Sequence, residues 1–290
     1  MRHKAVLWEK MDKGRVHCYL CSHYCEISGG KFGFCGTRQN LSGELCTYAY
    51  GKIAACNIDP IEKKPLYNFL AGTKTYSIAV AGCNFRCPFC QNWNISRVSA
   101  ENSEMPGRDA TPEQIVEGAL ANNCPSISYT YTEPTIFFEY AYDTACLAKA
   151  RGLCNIFVTN GYMTEFAIEK LSPYLDAANV DIKFFSDDLY KKMCGGRLQP
   201  VLDSVRRMKQ LGIWVEVTTL IIPELNDSPG QLKGIADFLA EIGKDIPWHV
   251  TRFHPAYKYT DSYPTPVETI EKAVDIGKKA GLKYVYSGNV

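Results

Sequence analysis

Three cysteines within eight residues carry the first chemical signal in this chain. Gly82–Gln91 reads Gly-Cys-Asn-Phe-Arg-Cys-Pro-Phe-Cys-Gln, which places Cys83, Cys87 and Cys90 at C-x3-C-x2-C spacing. Thiolates this close on one loop can face a single metal centre, yet three are one short of a closed tetrahedral zinc site. A [4Fe–4S] cube offers four irons, so three thiolates leave one iron open to another ligand. A zinc knuckle is the competing reading, and it lacks a fourth ligand nearby.

A second set of thiols precedes the first. Cys18, Cys21, Cys25 and Cys35 run C-x2-C-x3-C-x9-C through a stretch rich in glycine and aromatics. Such a segment buries too little apolar surface to hold itself together and often uses a metal as a staple. The spacing does not choose between structural zinc and a second iron–sulfur cluster. His17 and His23 are alternative ligands, and buried unliganded thiols are the plain alternative. The total of 13 cysteines is odd and the chain is 290 residues long, which argues against a secreted disulfide framework. Cys124, Cys146, Cys154 and Cys194 are scattered and read as small apolar packing residues, and Cys46 and Cys56 carry no assigned role.

The net charge of +1, from 32 basic and 31 acidic residues, gives no electrostatic footprint for nucleic acid or an anionic membrane. The N-terminus lacks the apolar run of a signal peptide, and no apolar stretch reaches the roughly 18 residues of a membrane span. A cytoplasmic protein with neither nucleic acid nor membrane as partner is the expectation.

The elements that must position the thiols alternate regularly. Strands are expected at Tyr76–Ala81, Ser126–Tyr131, Asn155–Thr159, Ala177–Lys183, Trp214–Ile222 and His249–Phe253. Helices fall between them, at Thr111–Asn123, Ile136–Arg151, Thr164–Leu171, Val201–Leu211 and Pro229–Ile242, with Pro266–Ala280 after the sixth strand. Thr111-Pro-Glu supplies an N-cap with proline at the first helical position. Strands joined by crossover-length helices imply parallel βαβ units, and six of them imply an α/β fold, a partial (β/α)6 barrel. The chain divides into a small Cys-rich N-terminal extension, 1–72, and the barrel, 73–290. Asp59–Leu70, with prolines at 60 and 65 bracketing charged residues, reads as a solvated loop leading to an apolar anchor.

Functional residues of such folds gather at the C-terminal strand ends. The first strand ends at the three-cysteine loop. The others end in Thr130–Pro134, Thr159-Asn160-Gly161, Asp181-Ile182-Lys183, Ile222-Pro223 and His254-Pro255. Asp181 and Lys183, two apart on a strand, share a side and suit a zwitterionic ligand that also carries ribose hydroxyls.

The loop at 83–90 resembles the cluster motif of the radical S-adenosylmethionine (SAM) enzymes, and the strand series resembles their partial barrel. The resemblance implies a [4Fe–4S] cluster on Cys83, Cys87 and Cys90, with SAM at the open iron. It places Phe89 near the adenine, Thr132 and Glu133 toward the amino group, Asp181 at the ribose and Lys183 near the carboxylate. Thr159 and Asn160 are similar to the third-strand motif of glycyl-radical-enzyme activases, and His254 stands where those carry a SAM-contacting histidine. The chain departs from the family at Tyr131-Thr132-Glu133-Pro134, where Gly-Gly-Glu-Pro is usual. It departs again at Val158, where activases carry an acidic residue for a monovalent cation. Over nearly its whole length it resembles the radical SAM member of the AmmeMemoRadiSam system. That resemblance implies Memo-family and AMMECR1-family partners and a reductant such as flavodoxin or ferredoxin. Members of that group continue past Gly288-Asn289-Val290 with another cysteine pair, so a shorter variant or a truncated chain is expected. The implied activity is reductive SAM cleavage followed by hydrogen abstraction from a substrate the sequence does not identify. A glycyl-radical-enzyme activase like the pyruvate formate-lyase-activating enzyme is the first alternative, and a zinc-stapled interaction module is the non-enzyme alternative.

Overall fold

In the computed structural model, which describes residues 2–97 and 105–290, the N-terminal extension is built from short antiparallel strands. Strands β1 (His3–Lys4), β2 (Trp8–Lys10), β3 (Val16–Cys18), β4 (Cys25–Ile27), β5 (Arg38–Leu41) and β6 (Glu44–Thr47) form two three-stranded sheets, ordered β1-β6-β5 and β2-β3-β4. Then β7 (Lys52–Pro60) enters the main sheet as the antiparallel neighbour of β8 (Lys74–Val80). The chain thus joins the barrel sheet some twenty residues before the boundary at 72 that composition suggests.

After β8 come α1 (Trp93–Ser96), β9 (Arg108–Asp109), α2 (Pro112–Ala121), β10 (Ser126–Tyr129), α3 (Phe138–Ala150), β11 (Cys154–Thr159), α4 (Glu165–Leu171) and β12 (Ala177–Asp181). The series ends with α5 (Asp187–Leu189), α6 (Leu198–Gln210), β13 (Trp214–Ile221), α7 (Pro229–Ile242), β14 (Trp248–Arg252), α8 (Val267–Lys279) and β15 (Val285–Gly288). The nine-stranded sheet runs β15-β14-β13-β12-β11-β10-β8-β7-β9. From β8 to β15 every pairing is parallel. The six expected strands are present, and the last apolar run of the chain adds β15 as a seventh parallel strand. This is the partial barrel the alternation implies.

Local chemistry starts the helices where the sequence places them. Thr111 and Gln114 form a reciprocal capping box at α2, and Thr164 and Ser228 cap α4 and α7. The buried Arg38–Glu139 ion pair fastens the N-terminal extension to α3, with Arg38 Nη1 also donating to the Val6 carbonyl at 2.9 Å.

The 59–70 segment is not a solvated loop. Ile61 and Leu66 are fully buried against Ile156 and Ala177, at the starting ends of the strands. Glu216 accepts from the Tyr67 and Asn68 amides at 3.1 and 2.9 Å and from Trp214 Nε1 at 3.0 Å, with His249 Nε2 at 2.7 Å. Asn179 donates to the Pro65 carbonyl at 2.8 Å. The segment therefore plugs the floor of the barrel. Its charged residues mislead because Lys64, buried like its partner, pairs with Asp59 at 2.7 Å. Replacing Glu216 with Ala would strand four donors in the floor, and should lower unfolding free energy by about 3–5 kcal/mol in urea titration.

Candidate active site

Cys83, Thr132, Glu133, Thr159, Asn160, Asp181, Lys183 and His254 lie at or just past parallel strand ends, while Cys18, Cys21, Cys25 and Cys35 lie in the extension. β8 stops at Gly82, whose φ of +116° suits glycine, and a Cβ there would meet Thr37 Cγ2 at 3.0 Å and Ile136 Cδ1 at 3.3 Å. The loop that follows is held through its backbone. The Gly82 amide donates to the Ile95 carbonyl, the Arg86 amide to Cys194 and the Lys258 amide to Pro88, all at 2.8–2.9 Å. Arg97 donates to the Phe85 and Cys87 carbonyls at 2.7 and 2.9 Å.

This framework holds Cys87 buried and Cys83 and Cys90 half-buried. Each sulfur has a polar neighbour. Cys83 Sγ accepts from the Phe85 amide at 3.3 Å, with Asn160 Nδ2 at 3.9 Å, and Cys90 Sγ lies 3.3 Å from Ser96 Oγ. Cys87 Sγ lies 3.6 Å from the sulfur of Cys194, a residue whose scattered position reads as packing. Cys194 stands 107 residues away, so spacing gives no sign of it. Its hydrogen bond, followed by the charges of Lys183 and Arg97, lowers the Cys87 pKa against burial. Burial, the Glu133 charge and Cys87 push the Cys83 thiol up. Three thiols, each facing a donor and with guanidinium and ammonium charge nearby, match the donor set of an anionic cluster held by three cysteines.

The ends of β10 and β11 are tied together by Glu133. Its Oε1 accepts from the Thr135 amide and hydroxyl at 3.0 and 2.6 Å and from Thr159 Oγ1 at 2.7 Å, and its Oε2 accepts from the Asn160 amide at 2.8 Å. Burial raises its pKa, and these four donors work in the opposite direction. Glu133 is thus a keystone of the mouth, with acceptor capacity left on Oε2 alone. Asn160 continues the network by donating to Asn84 Oδ1 at 2.7 Å, directly beside Cys83. Thr132 donates to the Val80 carbonyl at 2.6 Å, across the end of β8.

Asp181 and Lys183 do face the same side, and they bond each other at 2.8 Å. Phe89 is buried, edge-on to Phe184 and Tyr259. His254 is exposed just past β14. The structure therefore brings Cys83, Asn160, Glu133 and Thr159 into one bonded network, with Cys87 beside it and bonded to Cys194. It leaves Asp181 and Lys183 as a separate pair whose ammonium charge reaches Cys87.

Tyr131 keeps the left-handed backbone, at φ +62°, that a glycine would adopt without strain. Its hydroxyl donates to Asp59 Oδ2, and its ring carries Lys64 Nζ at 4.3 Å from the centroid. Burial opposes the charge on Asp59, but hydrogen bonds from Lys64, Tyr131 and Lys63 outweigh it and hold the carboxyl below the usual range. The stability this contributes is present above the ordinary carboxylate pKa and is lost as pH falls through the depressed one. Lys64→Met removes the main partner and raises the Asp59 pKa. The variant should lose about 3 kcal/mol at pH 7, and the deficit should narrow on acidification as Asp59 takes up a proton, followed by thermal unfolding across pH 4–7.

The description of the Radical SAM superfamily matches residues 77–239, more than half of the chain. Over 288 residues the chain is 48% identical to an uncharacterized protein of Methanocaldococcus jannaschii, spanning 99% of this chain and 85% of that protein. It is 24% identical over 170 residues to the pyruvate formate-lyase-activating enzyme of Clostridium pasteurianum, spanning 56% of this chain and 67% of that enzyme. Streptococcus suis SuiB bound to S-adenosylmethionine shares the fold, with a TM-score of 0.57 at 15% identity over 72% of this chain and 48% of that one. Among the described residues, no helix is long and apolar enough to cross a membrane. Family match and strand-end thiols agree, and the chain belongs to the radical SAM superfamily.

Proposed function

We propose that this chain cleaves SAM reductively and uses the product radical to abstract hydrogen from a substrate held at the barrel mouth. One observation carries the reading: the three thiols at the end of β8, each facing a donor, stand beside the Asp181–Lys183 pair and the Glu133–Asn160 network. A [4Fe–4S] cluster with one open iron, together with SAM, supplies one-electron cleavage of a sulfonium carbon–sulfur bond. The protein supplies the rest. Lys183 offers its ammonium to a carboxylate, Asp181 its carboxylate to ribose hydroxyls, and Phe89 an aromatic wall for a base. Thr132, Glu133 Oε2 and the neighbouring carbonyls offer acceptors to an amino group, and Thr159 and Asn160 fix that carboxylate in place. His254, exposed just past β14, offers its imidazole to the nucleoside. Cys194 steadies the Cys87 thiolate.

In this reading the Cys18, Cys21, Cys25 and Cys35 set forms a second metal centre, zinc or iron–sulfur, and the protein works in the cytoplasm with a flavodoxin or ferredoxin. The substrate is a small molecule or a Memo-type or AMMECR1-type protein, in preference to the backbone glycine of a glycyl radical enzyme. The Cys-rich extension packed against the cluster loop supports that preference. An interaction module stapled by zinc has no use for the strand-end network. Deuterated candidate substrates separate the branches by label transfer into 5′-deoxyadenosine. Cys87→Ala should abolish 5′-deoxyadenosine formation under anaerobic reduction, and formation at the wild-type rate in that variant would sink the assignment.

A further inference from the structure

Four thiols in the N-terminal extension lie outside the SAM site, and their placement gives them a task. The β3–β4 pairing sets Cys18 opposite Cys25, and Cys21 bridges to Met163. Every sulfur has a polar neighbour. Arg38 Nη1 lies 3.5 Å from Cys18, the Phe34 amide 3.5 Å from Cys25 and Thr37 Oγ1 3.3 Å from Cys35, and the His23 amide faces Cys21. Hydrogen bonds to ligand sulfurs are a principal way proteins tune iron–sulfur potentials.

The extension touches the Cys83 loop at three points, each within two residues of a cysteine on both sides. His23 Nε2 lies 2.7 Å from the Asn84 carbonyl, next to Cys83. Arg86, next to Cys87, donates to the Phe34 carbonyl and lies 4.4 Å from the Phe34 ring centroid, next to Cys35. Thr37, bonded to Cys35, packs against Gly82. His23, Arg86 and Thr37 thus link the two thiol-bearing segments directly.

We propose that Cys18, Cys21, Cys25 and Cys35 hold a second iron–sulfur cluster that receives electrons from the external donor and passes them singly to the SAM site. The proposal rests on the radical SAM reading above. A reduced flavodoxin or ferredoxin loses one electron, the N-terminal cluster gains and then gives up one, and that electron ends in cleavage of one sulfonium carbon–sulfur bond. Zinc, which has no redox chemistry, cannot serve here. Tyr24 and Phe34, 46% and 38% exposed beside half-buried Cys25 and Cys35, offer the donor protein an apolar approach.

The test compares the reconstituted wild-type chain with Cys25→Ser. Wild type alone decides the metal, whatever the variant does to folding. It should carry about eight iron and eight sulfide per chain, and its two reduced EPR signals should include one that changes with SAM. Cys25→Ser should keep about four of each, together with the SAM-responsive signal. Its 5′-deoxyadenosine formation should fall at least ~10-fold with photoreduced flavodoxin and stay within ~2-fold with dithionite. Stoichiometric zinc in wild type overturns the proposal. So does an unchanged flavodoxin-driven rate in Cys25→Ser, or an equal fall in both rates. Absence of any SAM-responsive signal in wild type overturns the radical SAM reading and the relay with it.

Discussion

Like charges held close together and away from water repel, and the architecture of the mouth answers that constraint. Burial and the neighbouring charges of Glu133 and Cys87 both work against a thiolate at Cys83. The chain offsets this with oriented donors and with cations. The Phe85 amide, Ser96 and Cys194 reach the sulfurs, while Arg97 and Lys183 bring positive charge toward Cys87. These partners come from the cluster loop, α1, the end of β12 and the turn before α6. The loop is competent only when the strand ends are assembled, so the fold and the site depend on each other.

The same logic explains the contacts that stand behind the thiols. Glu133 spends its carboxylate on joining β10 to β11, which places Asn160 against Asn84 and Cys83. The Arg38–Glu139 pair, buried between the extension and α3, sets Arg38 at 3.5 Å from Cys18. In both regions a buried charge fixes a backbone that carries thiols. Removing one member of such a network would move more than its own contacts.

Much of this was legible in the sequence because the parallel barrel writes itself as a regular alternation, and its chemistry sits where each strand stops. Cys83, Cys87 and Cys90 announce themselves by spacing, and Asp181 and Lys183 by sharing a strand face. What stayed hidden depends on long-range pairing. Lys64 looks solvated until Asp59 and Tyr131 bury it. Cys194 looks inert until the turn before α6 folds over Cys87. Glu133 looks like a free acid until Thr135, Thr159 and Asn160 claim its oxygens. Residues 52–60 look like part of the extension because nothing local says that they will pair with β8. Tyr131 is a partial exception, since its departure from a glycine-rich motif marks the position, although not the left-handed backbone it retains.

The central claim is that the three-cysteine loop presents an open iron to the amino acid end of SAM. Electron–nuclear double resonance of the reduced protein with SAM labelled by 15N at the amino group and 17O at the carboxylate tests it directly. The account predicts hyperfine coupling of both labels to the cluster spin, lost in Cys87→Ala. Spectra that are identical with labelled and unlabelled SAM would contradict it.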